Sequence, residues 1–547
     1  MPSRLSNPDE YELVTRNSSD SHEPFDLDDD DFESRGLTSA SYIHNRQPKS
    51  LLQWLLLQLK PRFNRRSFRH RLTKQSKGHR YGLRRPFLRR ICFLFYAALG
   101  IILALVSVTA IFQPSYTRPP AHYEALRKRS LQAAENGRAN PNNEKVFIAA
   151  SIHGKGGKLV DGAWGNAVLG LIELLGSENV FLSIYENDSG AEAQLAFRHF
   201  EDKVQCQRKL VFEDQLPIDE LPKVTLPDGS HRVKRVAYLA EVRNRALRPL
   251  DEASNTKYDR LLFLNDVIFD PIDAAQLLLS TNTADNGKAS YRAACAVDFI
   301  NPFKYYDTFA TRDLEGYSMG VPFFPWYSSA GGGHSRQDVL DGTDAVRVKS
   351  CWGGMVAFDA KYFQNTETSL ELEERSDVVI NANTSPEKST RSTPLPIRFR
   401  AEPDLYWDAS ECCLVHADLL MAGSKKDVTR DYEIFHNPFV RVAYDSRTLW
   451  WLKYTRCFER LYTIPHHLVN KLVGLPWLNP RRAELEGENV KERVWTPDKS
   501  MDAGGSFREV TRVATSGGYC GIRMLQVIKE APRQGEKNWE VIPVPPR

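Results

Sequence analysis

The sequence lacks the short motifs that would settle its chemistry at a glance. It has no Cys-x-x-Cys pair, which argues against a zinc site. It has neither Gly-x-x-x-x-Gly-Lys-Ser/Thr nor Gly-x-Gly-x-x-Gly, so the cluster Gly154-Lys-Gly-Gly-Lys158 reads as a flexible turn and not as a phosphate loop. Acidic residues are missing from Ser34 to Tyr123. Within that gap, thirteen Lys or Arg fall between Lys60 and Arg90. A nucleic-acid arm is one reading of such a run, but the next segment argues against it. Residues 92–112 carry no charge at all. At about 1.5 Å rise per residue they span a hydrocarbon core of about 30 Å. No small-residue cleavage pattern closes this run, so it reads as a signal anchor. Basic residues on its N-terminal side place residues 1–91 in the cytoplasm and the rest in a lumen. The basic run then sits on anionic lipid, with the bilayer as a partner and no nucleic acid.

What is present is mostly globular. The chain has 547 residues, 41% hydrophobic and 26% charged, with a net charge of only +4. The first fifty residues are polar, with an acidic run from Asp26 to Glu33, and read as a disordered tail. The apolar stretch from Leu51 to Leu59 is too short to span and reads as a surface segment. Of eight cysteines, seven fall on the lumenal side, where disulfides persist. Seven is odd, so at least one thiol stays free or pairs elsewhere. Asn187-Asp-Ser189 and Asn383-Thr-Ser385 are glycosylation sequons. Residues 113–143 read as a stem, 144–450 as the folded domain with a polar insertion at 364–396, and 451–547 as a C-terminal extension.

The central stretch runs from Arg260 to Phe269. Four apolar residues, Leu261 to Leu264, lead into Asn265-Asp266, which reads as a strand of a parallel sheet buried on both faces. Ligands of open α/β sheets bind beyond the carboxyl ends of such strands, so Asp266 is placed to hold a hard cation or a sugar. Val146–Ala150 and Val180–Tyr185 read as further strands around a helix from Trp164 to Leu175, giving parallel pairing. The Val233–Arg248 helix, stopped by Pro249, carries Arg243 on its apolar stripe. A cation facing a core needs a partner: a buried carboxylate, or a diphosphate met by the guanidinium fork. Another buried strand ends near Asp298. Trp352, before Gly353-Gly354, either stacks on a sugar or fills a core. Glu402, Asp404, Glu411 and His416 together suit acid/base and metal chemistry, and equally a loop followed by a helix.

These pieces carry a resemblance. Residues 145 to about 436 resemble the fungal capsule-associated α-1,3-mannosyltransferases, glycosyltransferase family 69. The matching segments are Phe263-Leu-Asn-Asp-Val-Ile-Phe269, Ala294-Cys-Ala-Val-Asp-Phe299, Tyr306-Asp-Thr-Phe309 with Arg312-Asp313, Val348-Lys-Ser-Cys-Trp-Gly-Gly-Met355, Arg398-Phe-Arg400 and Ser410-Glu-Cys-Cys-Leu-Val-His-Ala-Asp418. The resemblance implies an α/β, GT-A-like Rossmann-type nucleotide-sugar fold behind a single transmembrane helix. It also implies Golgi type II topology, GDP-mannose as donor, a mannose-containing glycan as acceptor, and Mn²⁺ as cofactor. In related Golgi mannosyltransferases the strand ends in Asp-x-Asp. Here Asn265 and Val267 stand where the two carboxylates would be, so Asp266 acts alone, with His416 or Asp298 completing a metal shell.

The expected roles follow. Asp266, Glu402, Asp404 and Glu411 are the catalytic candidates. Arg243, Asn244, Arg245, Asn265, Asp298 and Trp352 are the donor-binding candidates. Asp266 and His416 are the metal candidates. A rival reading keeps the fold but uses a UDP-sugar. Another makes the chain a non-catalytic factor in capsule or cell-wall polysaccharide assembly.

Overall fold

The computed structural model describes residues 84–214, 216–252, 256–364, 395–422, 433–497, 504–530 and 537–545. The acidic run, the Leu51–Leu59 stretch, most of the basic run, the Asn383 sequon and nearly all of the 364–396 insertion lie outside these residues.

A nine-stranded mixed sheet forms the centre. In chain order its strands are β1 (Val146–Ile152), β2 (Val180–Asn187), β3 (Gln207–Glu213), β4 (Arg260–Leu264), β5 (Ala293–Phe299), β6 (Arg312–Asp313), β7 (Val346–Ser350), β8 (Met355–Asp359) and β9 (Ile434–Ala443). Their spatial order is β3-β2-β1-β4-β8-β5-β9-β7-β6. Strands β3, β2, β1 and β4 pair in parallel. Strand β8 runs antiparallel between β4 and β5, and β9 is parallel to β5. Hence β4, β5 and β9 point the same way, and their carboxyl ends share one edge. The fold is α/β with a large, mostly parallel sheet.

The pleat explains the continuous apolar runs. In β4, Leu261 and Phe263 enter one core and Leu262 and Leu264 the other, and all five residues of the strand are buried. Helices α3 (Ala163–Leu175) and α6 (Pro271–Ser280) pack together in the second core. Helix α5 (Arg235–Leu247) lies against β1 and β2 on the first. Helix α6 begins where Asp270 accepts a hydrogen bond from the Ile272 N–H (2.9 Å), with Pro271 in the first turn. The remaining helices are α1 (Arg84–Phe112), α2 (Ala121–Gln132), α4 (Ala191–Lys203), α7 (His334–Asp341), α8 (Glu411–Met421), α9 (Ser446–Thr455) and α10 (Thr463–Val473).

Three expectations change. The 113–143 segment is not a free stem. Tyr116 and Tyr123 are buried, the Tyr116 hydroxyl donates to the Val339 carbonyl (3.0 Å), and α2 packs on α6. The C-terminal extension folds back onto the domain: the strand Gly521–Ile522 pairs with Asp408–Ala409, and Cys520 bonds to Cys413. Asn187 is buried with its amide donating to Tyr238 (2.7 Å), so this sequon is closed to glycosylation. A second disulfide joins Cys295 to Cys351, and Cys206, Cys412 and Cys457 remain free thiols.

Candidate active site

The carboxyl ends of β4, β5 and β9 form one wall of a cleft. Asn265, Asp298, Asp307, Trp352, Glu411 and Tyr444 line it. Asn265 is the hub. Its side-chain oxygen accepts from Arg243 Nη1 (3.0 Å) and Trp352 Nε1 (3.3 Å), while its backbone carbonyl accepts from Trp164 Nε1 (2.8 Å). An amide here gives the Arg and the indole a shared acceptor without adding another negative charge beside Glu411. This accounts for Asn where an Asp-x-Asp strand would carry its first carboxylate.

Arg243 has the buried carboxylate partner that its place on the apolar stripe allows. Its Nε donates to Glu411 Oε1 at 3.0 Å, and its guanidinium lies 4.7 Å from the Trp352 ring centroid. Both charged side chains are nearly inaccessible, at 6% and 3%. The guanidinium is therefore engaged by the fold, and what it offers the cleft is an oriented Glu411. Trp352 is likewise buried between Arg243, Phe263 and Phe399, so its face is not open to a sugar.

The glycines after Trp352 serve close packing. Gly353 has φ +58°, and a Cβ there would stand 1.8 Å from the Ala296 carbonyl oxygen. Its N–H points to Asp307 Oδ2 (3.4 Å), and the Gly354 carbonyl accepts from the Asn265 N–H (2.8 Å). Only glycine tolerates both the left-handed turn and this approach.

Two further carboxylates meet on the cleft floor. Asp298 Oδ1 accepts from the Asp307 N–H (3.2 Å) and Oδ2 from the Tyr444 hydroxyl (3.2 Å). Burial, with Asp307 beside it, pushes Asp298 well above the usual carboxylate range. Burial also raises Asp307, against the N–H groups of Ala310 and Gly353 that favour its ionised form. Asp266 is half-buried next to Asn265, close enough to add to the upward shift of the Tyr444 phenol, which burial and Asp298 dominate. Neither Asp307 nor Tyr444 is among the candidates that the sequence offers: Asp307 lies inside the Tyr306–Phe309 motif, and Tyr444 follows a strand that periodicity alone does not mark.

Five expected site residues belong elsewhere. Asn244 clamps the Phe399 backbone, its amide donating to the carbonyl (2.8 Å) and accepting from the N–H (2.9 Å). Arg245 does not line the cleft; it is paired with Glu213 and with Glu241 (3.0 Å). Glu402 is held by Arg400 at 2.7 Å and Asp404 by Arg481 at 2.7 Å, and neither lines the cleft. Their loop is fixed by buried Lys234, whose ammonium bonds Asp408 (2.9 Å) and the carbonyls of Glu402, Asp404 and Trp407. His416 is fully buried, donating from Nδ1 to the Cys412 carbonyl (2.7 Å), with Nε2 3.9 Å from Cys295 Sγ. Burial pushes its pKa down to about 4. Its sulfur neighbours, Cys295 and Cys351, are spent in a disulfide and offer no thiolate. His416 is a core residue and not a metal ligand.

At the ends of the neighbouring strands lies another carboxylate. Glu186, closing β2, is 1% exposed, and its Oε2 has no hydrogen-bond partner. Burial pushes it up to about 7.

An α/β sheet whose strand ends present carboxylates to a cleft defines a class of proteins that bind polar, phosphorylated or sugar ligands at that edge. Sequence comparison then gives the family: the profile described as cryptococcal mannosyltransferase 1 matches residues 145–418, and the chain belongs to that family. It is a glycosyltransferase. No curated protein matches the chain. Among solved structures, one similar chain is the mannosyltransferase PcManGT from Pyrobaculum calidifontis in complex with GDP-Man and Mn²⁺. The identity is 12%, covering 69% of this chain and 74% of that one, with a TM-score of 0.28.

Proposed function

We propose that this chain transfers mannose from GDP-mannose to a mannose-containing glycan, forming an α-1,3 linkage. The reaction would run on the lumenal side of a Golgi membrane that α1 spans as a signal anchor. Family membership supports the sugar. The observation that carries the site is the convergence of Asp298, Asp307 and Glu411 on one cleft at the carboxyl ends of β4, β5 and β9, with Asp266 beside Asn265 at the end of β4. That edge is where a GT-A-like sheet receives its nucleotide sugar.

Each residue has a role set by its surroundings. Asp266, half-buried at the strand end, orients the donor. Glu411, fixed by Arg243, presents negative charge to the sugar as its ring carbon turns cationic. Asp298 and Asp307 are buried carboxylates close together, and burial raises both, which favours a proton on them. Asp266, Asp298 and Asp307 are oxygen donors of the kind a hard divalent ion such as Mn²⁺ takes, but among the described residues no three carboxylates bring their oxygens to metal-ligand spacing, so the residues present do not form a closed site for such an ion.

The test uses full-length protein in detergent with GDP-mannose and α-mannoside acceptors. Mannose transfer that GDP inhibits and UDP does not is the expected result. Transfer from UDP-sugars instead would overturn the donor, and unchanged transfer by Asp266→Ala would overturn that residue's role. Full activity in EDTA would remove the metal.

A further inference from the structure

Helix α10 is amphipathic the wrong way round for a soluble surface. Its buried residues are the polar His466 and Asn470, where Asn470 Oδ1 accepts from the Val321 N–H (2.7 Å) and His466 meets Arg336 (2.8 Å). Its apolar residues point outward. Ile464, Leu468 and Leu472 follow at i, i+4 and i+8 on one stripe, 74%, 56% and 84% exposed. A surface helix in water shows the opposite arrangement.

The preceding helix in the chain, α9, also presents aromatic rings to the outside. Trp450, Trp451 and Tyr454 of α9 are all exposed and touch one another, with centroids 5.0 Å apart for the Trp pair and 4.8 Å for Trp450 and Tyr454. Amphipathic rings of this kind favour the headgroup level of a bilayer. Between Ser446 and Val473 the sole acidic residue is Glu459, which is buried against Arg441 (2.6 Å). Lys453 and Lys471 are exposed, so the surface is apolar, aromatic and basic.

The occupant is indicated by what is tied to this surface. The 24 residues Arg89–Phe112 are long and apolar enough to cross a membrane. The chain leaves that helix and is pinned at once to the end of α9: the Ser115 N–H donates to the Arg456 carbonyl (3.0 Å), and Arg456 Nη1 donates to the Tyr116 carbonyl (3.2 Å). The end of α1 abuts the turn Glu459–Tyr462 that joins α9 to α10. We propose that α9 and α10 form a second membrane contact, laying the domain on the bilayer with Trp450, Trp451, Tyr454, Ile464, Leu468 and Leu472 in the headgroup and upper acyl region. This rests on the reading that α1 spans the membrane.

The test uses the full chain reconstituted in phosphatidylcholine/phosphatidylglycerol vesicles. A fluorophore is attached at Leu472→Cys in a Cys92→Ser, Cys457→Ser background. Leu472 is exposed, so the fold tolerates the label. A control carries it at Leu195→Cys, on α4 at the opposite edge of the sheet. Nitroxide lipids labelled near the headgroup are expected to quench the Leu472 position at least about two-fold more than the control. Equal quenching at the two positions would overturn the proposal, as would a label shielded from aqueous iodide by self-association without lipid quenching. Alkaline carbonate extraction of the same samples reports on α1 separately. Protein that resists extraction but shows no lipid quenching refutes the second contact and leaves the anchor standing. Protein that is extracted yet quenched refutes the anchor and supports the contact.

Discussion

Arg243 shows how one buried cation organises the cleft. Removing it leaves Glu411 desolvated and unpaired, which costs on the order of 3–5 kcal/mol. Arg243→Met should therefore unfold at markedly lower denaturant, and Arg243→Met with Glu411→Gln should recover part of the loss; chemical denaturation of the single and double variants checks this. Asp266 is half-buried at the end of β4. Asp266→Ala should lose transfer by about 100-fold or more, whereas Glu402→Gln should leave turnover within a few-fold, as measured by mannose incorporation. Glu186 makes a pH prediction with a definite sign. Its pKa rises from 4.5 to about 7 in the folded chain. Between those values the folded state holds a proton that the unfolded state has released, so stability falls as pH rises through the window. Glu186→Gln should flatten that decline, seen by comparing melting curves of the two proteins from the lower to the upper end of the window.

Among the elements, α8 depends most on distant chain. Its Cys413 is bonded to Cys520 across 107 residues, and Asp418 near its far end holds Arg400 at 2.7 Å. Cys413→Ser with Cys520→Ser should cost about 2–5 kcal/mol and free the C-terminal segment to early proteolysis, read by denaturation and limited digestion. The strands and helices that sequence reading recovered were those whose pattern is local: β4 and β5 are continuous apolar runs, and α5 shows its stripe up to Pro249. The site was half legible for the same reason. Asn265, Asp266, Asp298 and Glu411 sit at ends of elements that announce themselves. Asp307 and Tyr444 gain meaning only through contacts with Gly353 and Asp298, which a linear pattern does not carry. Glu402, Asp404 and His416 looked chemical by composition, but Arg400, Arg481 and the Cys295–Cys351 disulfide claim their surroundings. The 113–143 segment read as a spacer because its few apolar residues, Tyr116 and Tyr123 among them, find partners more than two hundred residues away.

At the scale of the whole molecule, the domain follows its apolar helix with no slack between them. Helix α9 begins at Asp445, whose side chain accepts from the Thr448 N–H (2.8 Å), one residue after Tyr444 on the cleft wall. It ends beside Arg456, bonded to Ser115. Ten residues of α-helix amount to about 15 Å, so with α1 in a bilayer the cleft works at a fixed, low height. A glycan carried on a membrane anchor would then meet the enzyme by sliding in the plane of the lipid, a search in two dimensions. A free polymer would have to bring its growing end down to the surface.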